Sequence, residues 1–156
     1  MKEVQCSCGC GKARLVVAGA LLGRIKCHCT ICQVANQAAF ADSTVLMEKD
    51  VPFERIEHIR FEKQKRRMAV QRGFCRSCGC FMLARMTGIP FFPLAFVSSS
   101  RYPADLELPE PVLHVYYESR VADVMDELPK YSGKWRSQLA VLSMVLKARV
   151  SATSHN

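Results

Sequence analysis

The chain of 156 residues is long enough for one compact domain, and with 49% apolar and 23% charged residues it does not have the composition of a disordered protein. It carries a formal net charge of +8 and nine cysteines. No apolar run approaches the roughly 18–20 residues that a membrane-spanning helix needs, so a membrane-spanning protein is not expected. The N-terminus lacks a secretory signal, and we therefore expect a cytoplasmic protein whose clustered cysteines bind metal or react.

Alternation of apolar and polar residues predicts a mainly β chain. A turn-like stretch at 63–67 separates two of the predicted strands, and prolines between residues 90 and 111 argue against long helices there. In chain order, the predicted strands are 13–17, 53–62, a partner strand containing Met68 and Val70, 81–84, 94–97 and 113–117.

Two short helices are predicted, one directly after Cys32 and one over 119–128, where Pro129 would end it. The last 22 residues differ, because apolar residues recur there at three- and four-residue steps with basic residues among them. This pattern predicts a basic amphipathic helix that docks on its own domain or pairs with a second copy of the chain. We therefore divide the chain into a domain of residues 1–134 and a helix with a frayed tail, 135–156. The apolar positions are Trp135, Leu139, Leu142, Leu146 and Val150.

The positive charge is concentrated in two segments. Residues 60–76 contain seven basic residues and one acidic residue, and residues 128–156 contain five basic residues and no acidic one. Such segregation can attract an anionic partner such as RNA, DNA or a membrane surface. Aromatic residues are not interleaved with the basic ones as in single-strand stacking platforms. A nucleic acid is therefore a possible partner, but not the favoured one.

Two of the cysteine pairs have the C-x-x-C spacing that lets one turn bring two thiolates to a zinc ion. The second pair, Cys75 and Cys78, lies in a segment that resembles a zinc knuckle, where Gly79 can take a positive φ and free backbone amides can face sulfur. A structural zinc site needs four ligands. We expect Cys6 and Cys8 to complete it, so that the site consists of Cys6, Cys8, Cys75 and Cys78.

The remaining C-x-x-C pair belongs to a trio, Cys27, Cys29 and Cys32. Three thiolates on one short loop can hold a second zinc ion and leave its fourth position open, which is the arrangement of a catalytic metal. Two alternatives stay open. The trio can be a second structural site, or it can be a bare reactive group in a protein with one metal. The residues that could complete a second structural site are His28, Cys10 and Cys80; of these, Cys10 and Cys80 are most simply thiols without a ligand role.

The cysteines fall into three groups, within residues 6–10, 27–32 and 75–80. Together these groups resemble those of the glutathione-dependent formaldehyde-activating enzyme family, which includes centromere protein V. Pro52 with Phe53, the segment 114–120 and the segment 126–129 add to a resemblance that runs from about residue 4 to 131. It implies a β-tent of small coiled antiparallel sheets clipped by a four-cysteine zinc. It also implies a second zinc at the trio, and the joining of glutathione to formaldehyde as S-hydroxymethylglutathione.

On this basis the first hypothesis is a zinc-dependent carbon–sulfur lyase-type enzyme that acts on a thiol–aldehyde adduct. Zinc at the trio would bind the thiol or polarise the aldehyde, His28 or His114 would move the proton, and Arg120 would hold a glutathione carboxylate. A related lyase or hydrolase for another carbonyl or imine adduct is not distinguished from it. The second hypothesis is a non-catalytic zinc module that binds nucleic acid or a protein.

Overall fold

The computed structural model describes residues 3–63, 70–86 and 92–153. Within them the protein is mainly β, as predicted, with a short helix near the middle of the first half and a long helix at the C-terminal end. The strands are β1 Val4–Ser7, β2 Arg14–Val17, β3 Gly23–Cys27, β4 Ala41–Met47, β5 Ile59–Glu62, β6 Val70–Cys75, β7 Phe81–Met86, β8 Leu94–Ser98, β9 Leu113–Val115 and β10 Lys130–Tyr131. The helices are α1 Thr30–Asn36 and α2 Lys134–Thr153, with 3-10 turns at Glu48–Asp50, Phe53–Arg55, Ser99–Arg101 and Tyr117–Ser119.

The chain divides into two compact units, one formed by Met1–Leu21 with Thr44–Leu108 and the other by Leu22–Ser43 with Pro109–Asn156. In the first unit, β1 pairs antiparallel with β2, and β5, β6, β7 and β8 follow one another in an antiparallel ladder. The predicted boundary at residue 135 stays a prediction. It differs from this division, in which α2 belongs to the second unit.

The core of the first unit is formed by apolar side chains from its strands, all of them almost fully buried. Sulfur atoms belong to the same core, because Cys8 and Cys75 are buried among these side chains. A metal held by these two thiols would therefore be anchored in the core of the unit. The larger apolar side chains of this core are those of Leu15, Leu46, Met82, Leu83 and Val97.

One strand prediction of the first unit needs correction, and a second is confirmed for its described part. Of the segment 53–62, only Ile59–Glu62 is a strand, because Phe53–Arg55 forms a 3-10 turn and His58 has a φ of +56° that interrupts the extended backbone. The predicted partner strand is confirmed from Val70 onward. Met68 and the predicted turn at 63–67 fall wholly or mostly outside the described residues.

In the second unit, β9 lies between β3 and β10 and pairs with both in the parallel direction, whereas antiparallel sheets were expected. The predicted helix over 119–128 is also wrong, since Ser119 ends a 3-10 turn and the residues after it form bends and irregular backbone. Side chains take the amide hydrogens that a helix would use. The amide of Val124 donates to the hydroxyl of Tyr117, and the amide of Leu128 donates to Asp126.

The C-terminal helix α2 is confirmed, but it docks by a different face than the sequence pattern indicates. Ser137, Ala140 and Val145 are buried, whereas four of the five residues of the predicted apolar stripe are exposed, with Trp135 at 73% and Leu139 at 63%. The small side chains of Ser137 and Ala140 explain why this face docks, because they let the helix approach the rest of its unit closely. A side chain at Gly23 would likewise meet the sulfur of Met144, at 2.4 Å from a Cβ atom. Within the described residues, neither this helix nor α1 is long and apolar enough to span a membrane.

Candidate functional site

The first cysteine cluster lies in the first unit and joins two distant parts of the chain. Its four Sγ atoms, of Cys8, Cys10, Cys75 and Cys78, lie within 4.8 Å of one another. Cys75 Sγ is 3.6 Å from Cys8 Sγ and 3.7 Å from Cys10 Sγ. A tetrahedron with metal–sulfur bonds of about 2.3 Å has edges of about 3.8 Å, so these spacings fit one metal ion. The cluster can therefore hold a metal.

The turn after β6 has the geometry expected of a zinc knuckle. The amides of Ser77 and Cys78 point at Cys75 Sγ at 3.4 and 3.5 Å. Gly79 has a φ of +71° and donates its amide to the Cys75 carbonyl. Such amide donors stabilise a thiolate, and only glycine takes this backbone conformation without strain.

The cluster differs from the expected ligand set at one position, because the structure brings Cys10 and not Cys6 to it. Cys6 lies within β1 opposite Leu15 and is fully buried, and this burial raises its pKa to about 12. Beyond β1 the chain turns sharply, with the amide of Gly11 donating to the carbonyl of Cys8. The turn places Cys10 3.2 Å from Cys8, sulfur to sulfur. The alternating spacing of the three cysteines does not reveal this turn, although the glycines beside Cys10 are consistent with it.

Charge on the cluster is favoured at Cys8. Burial opposes its ionisation, but hydrogen bonds from the Cys10 thiol and the Ala13 amide outweigh that effect and lower the pKa of Cys8 to about 6. Cys80 stands beside the four, with its Sγ 3.4 Å from that of Cys78. Burial and the neighbouring Cys78 raise the pKa of Cys80 to about 12, so this thiol stays protonated. Cys80 is not one of the four cysteines whose sulfur atoms form the cluster.

The second cysteine cluster lies in the second unit and contains the predicted trio. Cys27 ends β3, Cys29 caps α1 by accepting the amide of Cys32 at 3.4 Å, and the three Sγ atoms lie within 4.8 Å of one another. Hydrogen bonds with Cys29 and Cys32, together with burial, raise the pKa of Cys27 well above its usual value. Three thiols this close cannot all ionise without a cation between them. The trio can thus hold a metal ion with three protein ligands.

Both predicted histidines are buried in the same unit and form a chain. His28 Nε2 lies 2.8 Å from His114 Nδ1, and His114 Nε2 lies 2.9 Å from a carboxylate oxygen of Asp126. The imidazole of His28 is 1% exposed and that of His114 is fully buried. Burial, reinforced by His114 and Lys26, lowers the pKa of His28 to about 4, so that its ring is neutral at pH 7. His28 does not join the thiol cluster as a fourth ligand.

Asp126 is a residue that sequence reasoning did not single out as a functional candidate. Its carboxylate accepts hydrogen bonds from the ammonium groups of Lys26 at 3.1 Å and Lys130 at 2.9 Å, besides the bond with His114. Lys130 first, then His114 and Lys26, hold the pKa of this carboxyl well below its usual range. Its position between Ser119 and Pro129, in a segment that reads as a helix, gives no sign of these partners.

Aromatic rings enclose the two imidazoles. The Tyr117 ring meets His28 edge-on at 5.0 Å and His114 at 5.6 Å, and the Phe40 ring lies 5.2 Å from His28. Such contacts hold the planes of the imidazoles in place. Tyr117 was not singled out from the sequence, since a tyrosine after a strand carries no signal of its own.

Arg120 does not point freely at a binding site. Its guanidinium pairs with Asp123, donates to the Tyr117 carbonyl and lies 4.7 Å from the centre of the Tyr117 ring. Its predicted role toward a substrate carboxylate therefore requires exchange of Asp123 for that carboxylate. In the basic segment 60–76, Arg72 is buried, whereas Arg60 pairs with Glu62 at the surface.

Comparison with known proteins bears on the family and the fold of the chain. A family model described as glutathione-dependent formaldehyde-activating enzyme matches residues 3–119, well over half of the chain. Among solved structures, the chain is similar to the crystal structure of a Rhodobacter sphaeroides protein, with 18% sequence identity and a TM-score of 0.50 over 81% of this chain and 98% of that one. At this identity the likeness concerns the fold alone. No curated protein matches the chain significantly.

Proposed function

The chain belongs to the glutathione-dependent formaldehyde-activating enzyme family, and on that premise we propose that it is a zinc-dependent enzyme of the carbon–sulfur lyase type. The proposed reaction joins the thiol of glutathione, or a related thiol, to formaldehyde or a related carbonyl. The carbon–sulfur bond forms as the thiol loses its proton, and the carbonyl oxygen gains one. The single observation that carries the proposal is the trio of thiols beside two buried histidines in one unit.

The donor atoms fit zinc at both clusters, since closely spaced thiolates are ligands that zinc prefers. Cys8, Cys10, Cys75 and Cys78 would hold a structural ion, because four thiols complete its coordination. The trio would hold a second ion with a fourth position open to substrate. Zinc bound there supplies Lewis acidity, which lowers the pKa of a bound thiol or polarises a carbonyl.

The residues around the trio would handle the proton and the position of the substrate. His28 lies between two of the thiols in the chain, and it is proposed to move the proton between the substrate thiol and the carbonyl oxygen. His114 and the rings of Tyr117 and Phe40 hold that imidazole in place. Arg120 is proposed to bind a glutathione carboxylate after leaving Asp123, because a guanidinium binds carboxylates in the same paired geometry.

Zinc content and thiol–aldehyde exchange, measured on the same protein, test the proposal. Serine at position 29 can still cap α1, so Cys29→Ser removes one thiol with little damage to the helix. We expect Cys29→Ser to halve the zinc content. We also expect it to abolish the acceleration of glutathione–formaldehyde exchange, which NMR would measure. Cys80→Ser is the matched control, with unchanged zinc and exchange. Wild-type protein that carries zinc at both clusters but gives no exchange above buffer would contradict an enzyme for this pair of substrates.

The alternative, a non-catalytic zinc module for nucleic acid or protein, predicts the opposite results. It requires zinc-loaded protein without exchange activity and, for a nucleic acid, an affinity that falls steeply with salt. In the described part of the basic segment 60–76, Arg72 is buried and Arg60 pairs with Glu62, whereas Arg76 is exposed.

A further inference from the structure

The hydrogen bonds between Asp126, His114 and His28 have a direction that determines which nitrogen of His28 is free. We propose that Asp126 and His114 are positioning residues that hold His28 as its Nε2–H tautomer, so that Nδ1 of His28 is a buried acceptor for an S–H or O–H group of the substrate. This inference rests on the proposed function for the identity of the substrate. The assignment of the tautomers of His28 and His114 does not depend on the substrate.

The direction follows from the carboxylate, which only accepts hydrogen bonds. Asp126 accepts from Nε2–H of His114, at 2.9 Å. A neutral His114 then has an unprotonated Nδ1, which must accept the proton of Nε2–H of His28, at 2.8 Å. A neutral imidazole carries one proton, and therefore Nδ1 of His28 bears a lone pair.

The opposite direction would need a cationic His114 that donates from both nitrogens. In the direction derived above, both rings are neutral, and Asp126 accepts hydrogen bonds from Lys26 and Lys130 as well as from His114. The carboxylate at one end of the chain of hydrogen bonds selects this direction, because it can only accept.

Nδ1 of His28 is buried, with the residue only 1% exposed, and has no hydrogen-bond partner among the residues that the structure describes. A buried polar atom without a partner costs free energy, which a bound donor would recover. A thiol or the hydroxyl of a hydroxymethyl thioether supplies such a donor. A thiolate or a carboxylate does not.

Long-range proton–nitrogen NMR of zinc-loaded protein labelled with ¹⁵N histidine tests the tautomers directly. The chain has four histidines, and His58→Gln and His155→Gln identify the resonances of the other two. We expect both remaining rings, His28 and His114, in the Nε2–H form. A His28 ring in the Nδ1–H form, or a doubly protonated His114, would overturn the proposal without any further variant.

The role of Asp126 is tested by Asp126→Asn, with Glu127→Gln as a matched control because Glu127 is its exposed neighbour. An amide at position 126 can donate as well as accept, so we expect Asp126→Asn to populate the Nδ1–H form of His114 and to release the tautomer of His28. Glu127→Gln should leave the wild-type spectrum, and Asp126→Glu should restore it. Wild-type tautomers in Asp126→Asn would contradict a positioning role.

The acceptor role is read from Nδ1 of His28 during titration with ligand. Glutathione with formaldehyde should move this resonance upfield, as a nitrogen that accepts a hydrogen bond does. S-methylglutathione, which has no S–H, should not. No shift with either ligand, or equal shifts with both, would overturn the acceptor role. Wild-type protein that has the expected tautomers but gives no enzymatic turnover would instead contradict the proposed function. That result would not contradict the tautomer assignment.

Discussion

The sulfur of Cys10 lies 3.7 Å from the sulfur of Cys75, although 65 residues separate them in the chain. Cys6, four residues before Cys10, is instead buried in the strand β1 among apolar side chains. A metal in this cluster would thus tie the turn after β1 to the turn after β6. The strand that precedes the first turn would carry no ligand.

This relationship predicts that two cysteine substitutions differ in their effect on the metal content. Cys10→Ser should lose the metal of the first cluster and unfold its unit, because structural zinc contributes about 10–16 kcal/mol of binding free energy to folding. Cys6→Ala should keep the metal and lower stability only by the packing lost in the core. Zinc content and thermal unfolding with and without a chelator measure both effects. Retained zinc in Cys10→Ser, with zinc lost in Cys6→Ala, would restore the set expected from the sequence.

The docking of α2 depends on one buried hydroxyl. Ser137 Oγ accepts the amide of Tyr116 at 2.9 Å and donates to the Tyr131 carbonyl at 3.3 Å. Ser137→Ala should lower the free energy of unfolding by about 1–3 kcal/mol, because it leaves a backbone donor without a partner. Ser143→Ala on the exposed side of the same helix is the matched control, with little effect. Denaturant unfolding measures both, and equal effects would contradict this role for Ser137.

The carboxylate of Asp126 should make stability depend on pH with a defined sign. Its pKa in the folded protein is lowered, by Lys130, His114 and Lys26, below the value of about 3.9 of an unfolded aspartate. Its contribution is therefore present above about pH 4 and is lost as the pH falls further. The difference in unfolding free energy between wild type and Asp126→Asn should be largest near pH 7 and should narrow in acid. A difference that widened in acid would contradict the lowered pKa.

Pairing of two chains through α2 stays a prediction, and its surface is now defined. Trp135, Leu139, Leu146 and Val150 form an exposed apolar stripe opposite the docked face of the helix. If two copies pair there, Leu139→Glu should convert a dimer to a monomer in sedimentation velocity. Ser151→Glu adds the same charge outside the stripe and should leave the dimer intact. A monomeric wild type at high concentration would contradict the pairing.

Much of the candidate site could be predicted because its signals are local. The spacing of Cys75 and Cys78, with Gly79 after them, predicts a knuckle with a positive φ, and that is the geometry found. The trio at Cys27, Cys29 and Cys32 is likewise set by one turn and the start of one helix. Such features depend on a few neighbouring residues, whose conformations are determined by their own types.

The spacing of apolar residues along the sequence determined that this protein is mainly β and ends in a helix. The grouping of its nine cysteines determined that it holds two thiol clusters. Only the tertiary structure decided that Cys10 rather than Cys6 joins the first cluster, which face of α2 docks, and that Asp126 directs the two histidines. These choices depend on contacts between residues far apart in the chain. Spacing records which side chains are available, whereas packing and charge compensation determine which of them meet.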